Sequence, residues 1–250
     1  MNLFQIKRIE EKKIKFSFLL LDKCIKYTYN EVGDNMEVNN PLYKNQGIHL
    51  ISTIFTVEDG ITKVLLIKRK NNPYKDYWAL VGGALYNNED LIDGLKRELK
   101  EKTGIENIKL DMFNVYGKLN RSPVFRMVAV GYIGVIDREK VSLIKETLKT
   151  SNADWFNIEC IPILAYDHNE ILNDAVNKLK EKIYEKDFLK DLFPSEFTLP
   201  ELQKVYETIL GEKLDRRNFR KKLLNLDLIE DTLKEKKFDG NKPAKLYKFK

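Results

Sequence analysis

Cysteine and histidine are scarce in this chain, two of each in 250 residues, and that scarcity removes whole classes of chemistry. Cys24 and Cys160 have no metal-ligand spacing. Two thiols in a chain of this length suit a reducing intracellular compartment, in which they are buried and inert. His49 and His168 lie too far apart in sequence to form a metal motif. No apolar run approaches the ~18 residues that a transmembrane helix needs, so no contact with a membrane is expected. Residues 16–21 are apolar and follow a lysine-rich start, but the run is too short for a signal-peptide core and Asp22-Lys23 closes it. A cytoplasmic location is therefore expected. The chain also lacks internal repeats and low-complexity segments, which excludes a repeat architecture.

Charge, by contrast, is abundant and unevenly placed. Apolar residues make up 43% and charged residues 33%, the balance of a soluble globular protein, and the length allows two domains. From residue 211 to the C-terminus there are thirteen Lys or Arg against seven Asp or Glu, an excess of +6. The whole chain also sums to +6, so the first 210 residues are neutral. A neutral body with a basic end is an electrostatic footprint for a polyanion, although a solvated surface has the same composition.

Hydrophobic periodicity and turn residues divide the chain. Residues 48–57 form a β-branched apolar run, Glu58-Asp59-Gly60 is a turn, and residues 63–68 read as the hairpin partner. Asn71-Asn72-Pro73 breaks the pattern. Residues 78–81 lead into Gly82-Gly83 and a charged helix, residues 109–116 and 124–136 are further strands, and residues 153–156 end a connecting stretch. Asp167 and Glu170 resemble a capping box that opens a helix reaching about residue 185. This is an α+β pattern, a mixed sheet sandwiched between helices. The expected domains are an N-terminal extension over 1–46, which contains a candidate strand at 14–21, a mixed-sheet domain over 47–188, a linker over 189–196, and a C-terminal domain over 197–250.

The charged helix carries the candidate chemistry. Residues 83–105 read GALYNNEDLIDGLKRELKEKTGI. Glu98, Glu101 and Lys102 stand at i, i+3 and i+4 and share one helical face. Three carboxylates on such a face could hold Mg²⁺, which takes oxygen ligands, and so activate a water against a diphosphate. Lys102 reverses the third charge. An ammonium about 4 Å from Mg²⁺ is repelled by roughly 8 kcal/mol at an effective dielectric near 20. Glu89, Glu98 and Glu101 thus remain, with Glu98 and Glu101 as metal ligands or catalytic groups of a weakened site, which Lys102 opposes unless its long stem carries the charge out to water.

The last fifty residues have a different texture. Thr198 and Glu201 form a capping box for a helix that Gly211 stops. Asp215 then caps DRRNFRKKLLNL, whose apolar face is Phe219, Leu223 and Leu226. A basic strand at 234–238, the turn Asp239-Gly240-Asn241 and a final strand at 244–249 complete a winged helix-turn-helix outline. A recognition helix reads the major groove with residues near its N-terminus, here Arg216, Arg217, Asn218, Arg220 and Lys221. Lys236, Lys237 and Lys242 on the hairpin suit phosphate or minor-groove contacts. A helical hairpin that docks another protein is the alternative.

The charged helix fits the Nudix box, G-x5-E-x7-R-E-U-x-E-E-x-G-U, at Gly83, Glu89, Arg97, Glu98, Leu99, Glu101, Gly104 and Ile105, and departs from it at Lys102. With LAYDHNEIL at 164–172, the winged-helix run at 197–232 and PAKLYKF at 243–249, the chain resembles Nudix-related transcriptional regulators of the NrtR type. The resemblance implies a Nudix α/β/α sandwich followed by a winged helix, a homodimer on a palindromic double-stranded operator, and repression relieved by an effector. The implied effector is ADP-ribose or a related compound, with NAD-metabolism genes as targets, or a sugar in a related branch. The match leaves the N-terminal extension unexplained. Candidate effector contacts are Arg69, Trp78, Gly83, Arg97, Glu98 and Glu101, with Arg97 equally readable as a structural salt bridge. No cofactor is required, and Mg²⁺ enters only if the altered box still binds it. The competing reading is a Mg²⁺-dependent hydrolase of ADP-ribose-like nucleoside diphosphates.

Overall fold

The computed structural model describes residues 45–237 and 243–250. The extension up to residue 44, with its expected strand at 14–21, and the wing turn Asp239-Gly240-Asn241 with Phe238 and Lys242 lie outside the described residues.

Strand β1 (Gly47–Glu58) is the centre of the first sheet. Its run is apolar on both faces because both faces are covered, the pattern of a buried central strand. Leu50 and Ile54 pack with Leu95 and Leu99 of helix α1 (Leu91–Thr103). Ile51 and Phe55 pack with Ile171, Leu172, Ala175 and Leu179 of helix α2 (His168–Lys182). The result is a helix–sheet–helix sandwich. Strands β2 (Ile61–Arg69) and β6 (Met127–Val135) flank β1, antiparallel and parallel respectively, and β5 (Leu110–Tyr116) lies outside β6. The short β3 (Trp78–Ala79) pairs with β2, and β4 (Val81–Ala84) pairs with β1. On one edge β1 therefore pairs with β2 over Phe55–Glu58 and with β4 over His49–Ser52. That exchange of partners brings Gly82-Gly83 beneath α1.

Several expectations need correction. Residues 150–157, read as a connection, form strand β7 (Thr150–Asn157) along β2; its polar TSNAD start hid the pattern. Asp167 does not cap α2 with its side chain. Its carboxylate instead accepts two hydrogen bonds from Arg121, at 2.9 and 2.8 Å, and Glu170 binds Lys118. The stretch read as a linker begins inside helix α3 (Lys186–Leu192), where Leu189 and Leu192 are fully buried.

The remaining elements are β8 (Phe197–Thr198), α4 (Leu199–Leu210), α5 (Arg216–Asn225), β9 (Ile229–Lys236) and β10 (Ala244–Phe249), with sheet order β8-β10-β9. The capping box of Thr198 and Glu201 is formed, and Gly211 closes α4 at φ 74°, a left-handed position that favours glycine. Asp215 caps α5 by accepting from the backbone N–H of Arg217 and Asn218. Phe219 and Leu223 are buried as expected, but Leu226 follows the last turn and is exposed.

The apolar core does not stop at the end of α2. It runs on through Leu189, Phe193, Phe197, Leu202, Val205 and Tyr206 to Phe219 and Leu223. At the junction the buried Tyr206 hydroxyl donates to the Ile183 carbonyl at the end of α2, at 2.6 Å, and Lys222 of α5 lies over the Tyr184 ring. Tyr206→Phe removes one buried hydrogen bond and strands a carbonyl, so a loss of about 1–2 kcal/mol is expected in urea unfolding. An unchanged midpoint would show that the junction does not depend on this bond.

Candidate functional site

Arg97 organises the face of α1 that meets Gly82-Gly83. Its Nε and Nη2 donate to Glu89 at 2.8 and 2.6 Å, Nη2 also to the Ala84 carbonyl at 3.1 Å, and Nη1 to Glu98 Oε1 at 2.6 Å. The guanidinium also stacks on the Tyr86 ring, 3.8 Å from its centre. Hydrogen bonds from Arg97 hold the Glu89 carboxyl down to about 2, and Glu89 also accepts from the Tyr86 N–H. Every nitrogen of Arg97 thus has an intramolecular acceptor, which favours the structural role.

Glu98 is 2% exposed. A Cβ built on Gly83 would lie 2.1 Å from its carboxyl carbon, so only glycine leaves room for that carboxylate. Lys102 Nζ sits 2.8 Å from Glu98 Oε2 and also donates to the Gly82 carbonyl. Burial opposes the Glu98 charge, but Lys102 and Arg97 hold its carboxyl below the usual range. Lys149, from the start of β7's approach, lies 2.8 Å from Glu101 and 3.6 Å from Glu98. Sequence reasoning missed Lys149, because nothing local marks it.

A hollow of about 470 Å³ opens nearby, lined by Tyr74, Lys118, Asn120, Arg121, Tyr166 and Asp167 among others. Arg69 lies 5.0 Å above the Tyr166 ring and donates to the Pro73 carbonyl. The two histidines, far apart in sequence, come together here. Burial, then the charges of Lys102 and Arg121, push His49 down to about 3. Burial, then His49 and Arg121, push His168 well below the ordinary histidine range. Both rings are neutral at physiological pH. Trp78, expected at this site, instead packs its ring edge-on against Phe156 at 4.6 Å.

On the winged helix, Arg216, Arg217, Asn218, Arg220 and Lys221 are all exposed at the start of α5. None of the four cations makes an ion pair within 4 Å among the described residues. Lys237 is exposed, whereas Lys236 is engaged by Glu201 at 3.1 Å and so ties the wing to the start of α4. Among the described residues no helix is long and apolar enough to cross a membrane.

Comparison with known proteins fits both halves. Residues 48–176 match the NUDIX domain and residues 189–249 the NrtR DNA-binding winged helix domain. Over 200 residues the chain is 34% identical to the ADPR responsive transcriptional repressor NtrR of Acinetobacter baylyi, covering 78% of this chain and 79% of that protein. The chain belongs to the Nudix superfamily, in its NrtR branch. Shewanella oneidensis NrtR complexed with a 27mer DNA matches at TM-score 0.66 and 27% identity, over 81% of this chain and 93% of that one. The NUDIX domain of the same protein complexed with ADP ribose matches at TM-score 0.52 and 26% identity, over 60% and 97%. An ADP-ribose pyrophosphatase of Methanocaldococcus jannaschii is 36% identical over 121 residues, 46% of this chain and 69% of that enzyme.

Hydrolases of the Nudix type use a divalent cation, and the residues of this NrtR-branch chain do not fit one. The oxygen donors suited to Mg²⁺, the Glu98 carboxylate and the Gly82 carbonyl, are held by the Lys102 ammonium. Glu101 is held by Lys149. The Lys102 charge is not carried out to water, since its side chain is only 12% exposed. Among the described residues, no three His, Cys, Asp or Glu side chains converge as metal ligands. Lys102→Glu removes the counter-charge of a buried carboxylate and adds a second one. In EDTA the variant is expected to lose about 3–5 kcal/mol in urea unfolding, and millimolar Mg²⁺ should return part of it. A variant indifferent to Mg²⁺ would mean that Lys102 is not what keeps the cation out.

Proposed function

We propose that this chain is a transcriptional repressor whose Nudix domain, residues 47–188, senses ADP-ribose or a closely related nucleoside diphosphate. Its winged helix, residues 197–250, binds a double-stranded operator that controls genes of NAD metabolism. One contrast carries this reading. The carboxylates of the box are neutralised from within by Arg97, Lys102 and Lys149, while the cations that open α5 make no ion pair within 4 Å among the described residues. The first arrangement removes the means of hydrolysis and keeps a shaped, cation-rich cleft suited to a diphosphate. The second leaves Arg and Asn side chains available for guanine and adenine edges. The repressor name of the Acinetobacter relative and the two ligands named for the Shewanella protein support the same assignment.

The cleft residues proposed to meet the effector are Arg69, Gly83, Arg121 and Tyr166, with Arg97, Glu98 and Glu101 forming the framework behind them. A homodimer would place two copies of α5 in successive major grooves, about 34 Å apart, and so read a palindrome. For ADP-ribose to release DNA it must bind the released conformation better than the DNA-bound one.

A duplex enriched from a random pool by the full-length protein tests both halves. Fluorescence anisotropy should show Arg216→Ala and Arg220→Ala each weakening it about 5- to 150-fold, the loss of one bidentate base contact. ADP-ribose should release wild-type protein from the duplex. Failure to enrich any sequence, with affinity that does not fall with salt, would instead favour a protein-docking role, because phosphate contacts always bring a salt slope. Release of AMP from ADP-ribose by the wild-type protein in Mg²⁺ would favour the hydrolase.

A further inference from the structure

His168 is 2% exposed, and its Nε2 has no hydrogen-bond partner among the described residues. Its other ring nitrogen is committed, because Nδ1 accepts the Leu80 backbone N–H at 3.0 Å. Nδ1 therefore carries no proton, and a neutral ring must carry it on Nε2. Burial and the surrounding cations keep the ring neutral. Among the described residues, this buried N–H donor of known position thus has no acceptor, which native proteins seldom leave unexplained.

The surroundings say what would satisfy it. The charges acting most strongly on the ring are Arg121, Arg69 and Lys102, all positive, of which Arg121 is paired with Asp167, and the nearby His49 is neutral. An acceptor placed among them is favoured if it is anionic. The hollow lined by Tyr74, Arg121, Tyr166 and Asp167 adjoins this point, with the Tyr166 ring 5.5 Å from that of His168. Tyr74 and Tyr166 both have left-handed backbones, φ 60° and 57°, and their rings lie 4.5 Å apart. Two bulky residues held in that sparsely populated region mark a place where local strain is tolerated, as at ligand clamps.

We propose that His168 Nε2–H donates a hydrogen bond to a phosphate oxygen of the bound effector and is a specificity-determining residue of the sensing cleft. This rests on the reading of the Nudix domain as a diphosphate sensor. His168 opens α2, and the far end of α2 carries the Ile183 carbonyl that receives the Tyr206 hydroxyl. One contact therefore joins the effector to the helix on which the winged helix rests.

The chain has only two histidines, so a long-range ¹H–¹⁵N imidazole spectrum of the full-length protein resolves both. Saturating ADP-ribose should shift the His168 Nε2–H resonance and slow its exchange with solvent. An unchanged resonance, the result if an internal water serves Nε2 in both states, overturns the proposal. His168→Asn keeps an acceptor for the Leu80 N–H and removes the Nε2 donor. Its ADP-ribose affinity by calorimetry should fall about ten- to a hundred-fold, the worth of a hydrogen bond to a charged group. His168→Gln, with an amide N–H near the Nε2 position, should recover part of the loss. Wild-type affinity in His168→Asn also overturns the proposal; if that variant does not fold, the wild-type spectrum decides. Wild-type protein that binds no ADP-ribose overturns the ADP-ribose reading and this inference together. Wild-type binding that leaves His168 untouched overturns this inference alone.

Discussion

The buried carboxylate of Glu98 is the constraint from which the cleft follows. A charge at that depth is tolerable only if it is paired and hydrogen-bonded. Gly83 supplies the room, Arg97 and Lys102 the charge, and Arg97 in turn fixes Glu89 and the Ala84 carbonyl. The network contains three carboxylates, Glu89, Glu98 and Glu101, and three cations, Arg97, Lys102 and Lys149. It is neutral as it stands. A glutamate at position 102 would make it more negative by two charges, the charge of one divalent cation. The single departure from the box therefore changes the site from one that needs a metal ion for neutrality to one that does not.

That neutrality has a second consequence for what enters the cleft. A divalent ion would compensate both the protein carboxylates and the phosphates of a ligand. Here the ligand's charge must be met by protein groups lying beyond the box helix. Arg69 and Arg121 are the residues proposed for that role, and neither sits on α1; Arg121 already holds Asp167. On the proposed reading, recognition shifts from the box to the loops after β2 and before β6 and to the first turn of α2. These parts sit at the opposite ends of β2 and of α2 from the contacts with the winged helix, which are Lys204 to the Asp59 carbonyl and Tyr206 to the Ile183 carbonyl.

Much of this was legible in the sequence, and the failures share a cause. The box, the central strand, the capping box of α4, the Asp215 cap of α5 and the basic start of α5 are local patterns, in which spacing alone fixes the neighbours. Residues 150–157 failed because their partner is β2, some eighty positions away, and an edge-side polar strand lacks the alternation that marks a half-buried one. Asp167 failed because Arg121 outcompeted the backbone for its carboxylate. His49 and His168 looked like isolated residues until the sheet placed β1 beside the start of α2. Lys236 looked like a free wing cation and is held by Glu201. In each case the sequence showed a group's chemistry but not its partner, and the fold chose the partner.

The same dependence on distant partners limits how the protein can signal. A sensor must make DNA binding unfavourable by a modest amount, about 1.4 kcal/mol for each tenfold change in affinity. The core that joins the sandwich to the winged helix is continuous from Phe55 to Phe219, and densely packed cores switch between discrete arrangements instead of deforming gradually. Breaking that core would cost far more than a small ligand supplies. The polar contacts at its margin, the Tyr206–Ile183 hydrogen bond and the Lys222–Tyr184 stack, are of the required size. Both lie at the C-terminal end of α2. Because α2 itself contributes Ile171, Leu172, Ala175 and Leu179 to that core, a rotation of the whole helix would disrupt it, whereas exchange of these two marginal contacts leaves the apolar core intact and is the change of the required size.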